Sequence, residues 1–189
     1  MGASMLLEET EVRVRGMNAR AKRLAKHQPE HPSPNTTYFA DRGTVLDAPI
    51  EVVWDFMEKD EEFHPKAHAA TLRNLENKEL SEVTSLIRCE VRWEGRWRRM
   101  VTRFTSIRPA VRINEELEGP YAGSKMVFLY SPRGRRTAVD VLCYMHSSEL
   151  SPKEIKRVTM RTLAKANTED APWMRRFARK HPLVKGPRS

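Results

Sequence analysis

Between Thr71 and Glu149 apolar residues recur at every second position, a period that only extended strands can use. Ser85, Ile87, Cys89, Val91 and Trp93 alternate with Leu86, Arg88, Glu90 and Arg92. After a Glu94-Gly95 turn, Met100, Thr102 and Phe104 alternate with Arg99, Val101 and Arg103. Val111, Ile113, Glu115 and Leu117 follow, up to Glu118-Gly119-Pro120. Met126, Phe128 and Tyr130 lead to the turn Ser131-Pro132-Arg133-Gly134, and Val139, Val141, Cys143 and Met145 complete the series. Period-two runs closed by turn residues describe an antiparallel meander with one buried face. Residues 38–47 read as one more strand and residues 70–75 as a poorly patterned one, about seven in all.

Helical patterns flank the strands. Ala48-Pro49 closes the first strand, and proline suits the first turn of a helix. Ile50, Val53, Trp54 and Met57 then form one apolar stripe of a short helix. Asp60 to His68 continues as a turn and a second short helix, broken near Pro65. Ser151-Pro152-Lys153-Glu154 is a helix start, with a capping serine, proline at the first position and glutamate reaching back. Ile155, Val158, Thr159, Thr162, Leu163 and Ala166 give it a mixed apolar and small-residue stripe. The helix is expected to stop near Ala171, because Pro172 disfavours continuation, with residues 173–180 forming a separate turn or two. A helix of about twenty residues reaches ~30 Å, enough to cross a whole sheet. Upstream, residues 5–27 read as a basic amphipathic helix weakened by Gly16, and three prolines between Gln28 and Asn35 make an arm. The expected organisation is a basic helix and arm over 1–36, the main domain over 37–180, and a basic tail over 181–189.

Charge and cysteine usage bound the function. The 189 residues carry a formal net charge of +9, and the acid-free segment 172–189 holds Arg175, Arg176, Arg179, Lys180, Lys185 and Arg188. Such a segment either touches an anionic membrane or nucleic acid weakly or is a solvated end; it lacks interleaved aromatics and any groove-reading motif. Cys89 and Cys143 form neither a disulfide framework nor a zinc pattern and read as free thiols in a reducing cytoplasm. Met1 to Leu7 lacks the features of a secretion signal. No apolar run approaches the length of about 18 residues that a membrane span needs. Nothing in the pattern specifies an oligomeric state.

The order of strand, two short helices, six strands and long final helix, together with VLDAPIEVVWDFMEKDEEF over Val45 to Phe63, resembles the START-like (SRPBCC, helix-grip) superfamily. That superfamily includes polyketide cyclases, Bet v 1-type and plant-hormone binders, and coenzyme Q-binding proteins. The resemblance spans about Tyr38 to Phe177. It implies an α+β helix-grip fold, a curved antiparallel sheet wrapped on the last helix around a cavity for a hydrophobic small molecule. The fold alone does not select a reaction.

Within that frame the expected cavity wall is Met100, Phe104, Met126, Phe128, Tyr130 and Cys143, faced from the helix by Thr159, Thr162 and Leu163. Trp54, Phe63 and His64 are expected beside the entrance, where the resemblance places the short helices. Small and soft residues opposite a concave wall leave room for a ligand, although methionines also serve as flexible core fillers. Glu115, in phase with Val111 and Ile113, reads either as a buried acid or base or as a strand-end carboxylate that reaches water or an arginine. His64 and His68 lie four apart, but Pro65 interrupts the helix that two metal ligands at that spacing need. Arg88, Glu90, Arg92, Arg99 and Arg103 share the opposite face and read as cross-strand ion pairs or as an anion-binding cluster. The basic tip Arg133-Gly134-Arg135-Arg136 has the same two readings. A nucleophile elbow, a phosphate loop and a dinucleotide fingerprint are absent, so no cofactor is expected. Three functions follow: a carrier of a hydrophobic or amphipathic molecule, a cyclase, dehydratase or hydrolase using a buried acid or base, or a platform whose basic tail binds nucleic acid or membrane.

Overall fold

The computed structural model describes residues 35–59, 66–93 and 95–181. The helix expected over 5–27, the proline arm before Asn35, the residues Phe63 and His64, and the tail beyond His181 lie outside the described residues.

Seven strands make one antiparallel sheet: β1 (Thr36–Leu46), β2 (Leu72–Ser81), β3 (Thr84–Trp93), β4 (Arg96–Ile107), β5 (Val111–Glu118), β6 (Lys125–Arg133) and β7 (Arg136–His146). Their order, β1-β7-β6-β5-β4-β3-β2, is a meander from β2 to β7 with β1 returned to the far edge. The helices α1 (Ile50–Lys59), after β1, and α2 (Pro152–Lys180), at the end, accompany the curved sheet. One connection shows why its residue is needed. Gly119, at φ +115°, closes β5 where an added Cβ would stand 3.0 Å from the Arg99 carbonyl, so the approach to β4 leaves no room for a side chain.

The turn from β1 into α1 is tied to β7. The Thr137 hydroxyl, fully buried, donates to the Ala48 carbonyl at 2.8 Å, and Arg136 pairs with Asp47 at 3.0 Å. This aims the stripe of α1 at the sheet, where Val53, Trp54 and Phe56 are completely buried. The α2 start behaves as its residues dictate. The Glu154 carboxylate accepts from the Ser151 backbone N–H at 3.0 Å and from its hydroxyl at 2.5 Å.

Two expectations are corrected. The last helix does not stop at Ala171 but runs for 29 residues through Pro172. Proline costs about 3 kcal/mol in a helix interior, and what offsets it is downstream burial. Met174 and Phe177 lie in the core, Phe177 edge-on to Phe56 at 5.8 Å. The weakly patterned strand near residues 70–75 instead spans Leu72–Ser81. As the edge strand paired only with β3, its side chains are nearly all exposed, so no buried face imposes an alternation on its sequence.

Apolar side chains collect on both faces of the sheet. The main cluster joins Phe39, Val141, Cys143 and Met145 to α1 and to Ile155 of α2. A smaller one, Ala110, Val111, Val127, Leu129 and Leu142, occupies the opposite face. The α2 helix lies against β1, β7 and α1. The main core therefore sits over one half of the sheet.

Candidate functional site

The phase of β5 decides what faces the helices. Val111 and Ile113 are opposite Leu129 and Val127, members of the smaller cluster on the far face. Glu115 shares their side, where Arg103 meets it at 2.8 Å and Lys125 at 3.0 Å. Partial burial alone would raise the Glu115 pKa, but those two cations outweigh it and hold the carboxyl below its ordinary value. Glu115 is thus a paired outer-face carboxylate and not a cavity residue. Arg99–Glu118 at 3.2 Å and Arg73–Glu90 at 3.0 Å complete an outer surface of ordinary ion pairs. Exposed pairs of this kind contribute little each.

The side chains that turn inward from β5 are Arg112, Asn114 and Glu116. Register places Arg112 opposite Phe128, Asn114 between Phe104 and Met126, and Glu116 opposite Thr102. One Arg112 Nη is 3.5 Å from the sulfur of Met57 on α1, and its guanidinium lies 4.4 Å over the Phe104 ring. The aromatic face attracts the cation. Its Nε is enclosed yet has no hydrogen-bond partner among the described residues. Burial lowers the Arg112 pKa, opposed by the nearby Tyr130, Glu58 and Asp170. Asn114 Oδ1 and Thr159 Oγ1 are likewise enclosed and unpartnered among the described residues. Glu116 accepts a 2.7 Å hydrogen bond from the Thr102 hydroxyl, and burial pushes its pKa up to about 7 despite that bond. Desolvation disfavours the charged form, and one neutral donor does not compensate it. The Tyr130 hydroxyl, 3.4 Å from Met57 Sδ, is pushed up to about 12 by burial.

Burial divides the inner face in two. Under α1 and α2, Tyr130, Val139, Val141, Cys143 and Met145 are closed off from solvent. Across β3, β4 and β5 the inner residues Ile87, Val91, Met100, Phe104, Arg112 and Asn114 keep part of their surface accessible. One half of the wall is packed core; the other half is open.

No protein-family profile matches the sequence, and no curated protein is significantly similar to it. Solved structures are similar over most of the chain. Ara h 8.0201 superposes with a TM-score of 0.60 at 9% identity, over 75% of this chain and 99% of the other. A START superfamily protein from Mycobacterium smegmatis gives 0.60 at 13% identity, over 75% and 97%. The ZhuI aromatase/cyclase from Streptomyces sp. R1128 gives 0.58 at 14% identity, over 78% and 97%.

This chain has the START-like helix-grip fold.

The helix-grip frame places the remaining sequence-derived candidates. Met126 and Phe128 are partly buried against the main cluster, as is Leu163 of α2, and Thr159 of α2 is buried. Thr162 is exposed on α2, although it stands seven residues after the buried Ile155. Trp54 is not at an entrance. It is wholly buried, 5.1 Å from the Tyr130 ring, with its indole N–H donating to the Pro109 carbonyl at 2.6 Å. Cys143 is sealed in the core, its thiol pushed up to about 12 by burial, which leaves it unreactive.

His68 has two carboxylate partners on α2. Its ring meets Asp170 at 3.0 Å and Glu169 at 3.7 Å, and the Asp170 hydrogen bond raises its pKa most. The helix continues past Glu169 and Asp170, and their contacts with His68 hold the chain that leads into β2. No group of three or more potential metal ligands exists among the described residues. No helix among them is long and apolar enough to cross a membrane.

Sequence reasoning missed Arg112, Asn114 and Glu116. The available signal was the spacing itself, three polar residues two apart on a strand that must face a helix on one side.

Proposed function

We propose that residues 37–180 bind a hydrophobic or amphipathic small molecule between the inner face of β3–β5 and α2. The observation that supports this most is the half-buried inner wall. Ile87, Val91, Met100 and Phe104 offer apolar surface, and enclosed polar atoms of Arg112, Asn114 and Thr159 have no protein partner among the described residues. Buried polar atoms are nearly always satisfied, so unsatisfied ones suit a guest that completes their hydrogen bonds. Apolar walls supply affinity at about 25 cal/mol per Å² buried. Native mass spectrometry of the purified protein tests the reading: a copurified mass of lipid or polyketide size is expected. Its absence, combined with no uptake of added hydrophobic ligands, sinks it.

A second reading has one specific observation behind it. A buried carboxyl with a pKa of about 7, as at Glu116, is poised to give and take a proton near neutral pH. On a bound polyketide-like substrate this suits cyclisation or dehydration. Glu116→Gln should then abolish turnover while leaving ligand uptake intact, and full turnover in the variant removes the catalytic reading.

A further inference from the structure

The ligand class can be narrowed from the wall of the proposed cavity, an inference that rests on the binding reading above. Arg112 is the only arginine of the β5 strand, and its guanidinium has no carboxylate partner among the described residues. One Nη donates to the Met57 sulfur at 3.5 Å and an aromatic face lies 4.4 Å away, but the enclosed Nε has no hydrogen-bond partner among the described residues. Every other inward polar group of β5 has a weaker demand: Glu116 has Thr102, and Asn114 is neutral. A planar fork suits a planar carboxylate, which takes two parallel hydrogen bonds from it. The surrounding charge selects further. Glu58 and Asp170 lie near enough to act on the guanidinium, so a doubly charged phosphate meets more repulsion there than a singly charged carboxylate does. Beyond Arg112 the wall turns apolar. Ser106 stands opposite Arg112 on β4, and Met100 lies further along the same strand. The strand between them extends about 20 Å, at ~3.3 Å for each residue step.

We propose that Arg112 receives the carboxylate of a long hydrophobic acid whose chain lies along the half-buried inner face of β3–β5.

The test is calorimetric titration of the full chain at pH 8 with dodecanoate, methyl dodecanoate and dodecyl phosphate, in wild type, Arg112→Met and Arg112→Lys. Wild type should bind the acid about ten- to a hundredfold more tightly than the ester, the range that charge-assisted hydrogen bonds give. Arg112→Met should bind acid and ester alike, with the ester affinity unchanged. Arg112→Lys should retain only part of the preference, since an ammonium keeps the charge and loses the fork. Circular dichroism and a melting scan establish that the variants fold; if Arg112→Met does not, the partial loss in Arg112→Lys carries the test. Equal binding of acid and ester by wild type overturns the head-group assignment while the cavity stands. An undiminished preference in both variants overturns the role of Arg112, and tighter binding of the phosphate overturns the choice of carboxylate. Failure of all three probes to bind removes the cavity reading, and this inference with it.

Discussion

Glu116 sets a pH dependence that can be worked out in advance. Its carboxyl is buried beside one hydroxyl donor, and its pKa is about 7 in the folded protein against 4.5 ordinarily. A carboxyl whose folded pKa is raised binds its proton more tightly when folded than when unfolded, so ionisation favours the unfolded chain. Below pH 4.5 both states hold the proton and no penalty exists. As pH climbs toward 7 the unfolded chain loses its proton first, and the penalty grows. Above 7 both are ionised and the penalty is constant. Each pH unit between the two values contributes about 1.4 kcal/mol, so the plateau is about 3 kcal/mol against folding. Glu116→Gln keeps the shape and the Thr102 contact but removes the titration. Urea unfolding of wild type and variant at half-unit steps from pH 4.5 to 8.5 gives the difference directly, since other titrating groups cancel in it. The variant should be close to wild type at pH 4.5 and more stable by about 3 kcal/mol at pH 8. A difference that stays flat with pH refutes the assignment of a buried, proton-holding carboxyl, and a variant that loses ground at high pH reverses its sign.

Three further outcomes follow from packing and pairing. His68 has its pKa raised by Asp170 and Glu169, so its contribution is present below the ordinary histidine value and lost as pH rises through the folded value. His68→Gln should therefore destabilise more at pH 5.5 than at pH 9 in the same unfolding assay, and a pH-independent loss contradicts the pairing. Pro172 is solvent-exposed inside α2, where Pro172→Ala restores a backbone donor. That change should raise stability by about 1–3 kcal/mol, read as a higher melting temperature. Ile155 has 0% exposure between α2 and the sheet. Ile155→Ala should cost about 2–5 kcal/mol in urea titration, and a loss below about 1 kcal/mol would mean that α2 does not pack there.

What the sequence made legible was whatever burial and local chemistry agree upon. The β3, β4, β6 and β7 strands carry clear period-two patterns, and β6 and β7 each have one face against the main apolar cluster. The α2 start is legible because Ser151, Pro152 and Glu154 act within one turn of each other. The far end of α2 is not, since the forces that carry it past Pro172 are tertiary contacts of Met174 and Phe177 with residues far away in the chain, Phe56 among them. The β2 strand is similarly mute: an edge strand exposed along its length has no inside to record. His68 was legible as the second of two histidines four apart but not as the partner of Asp170, again a long-range contact.

The candidate site failed to appear for a different reason, and that reason bears on function. Alternation reveals that a strand has two unlike faces; it does not reveal which face meets the helices. In β5 the apolar face, Val111 and Ile113, serves a small cluster on the far side of the sheet, while Arg112, Asn114 and Glu116 look inward. Burying a guanidinium, an amide and a carboxyl costs stability that an apolar wall would not, and the penalty of about 3 kcal/mol at Glu116 alone at pH 8 is a measure of it. Local pattern and global fold agree everywhere around the closed half of the sheet, under Val141, Cys143 and Ile155, where the wall has only packing to do. They disagree along one strand, and it is the strand whose inner face stays partly open. Such conflict is expected where residues are kept for what they bind rather than for what they stabilise. An apolar inner wall would have made a better core, and the polar one is what the proposed binding of a guest would use.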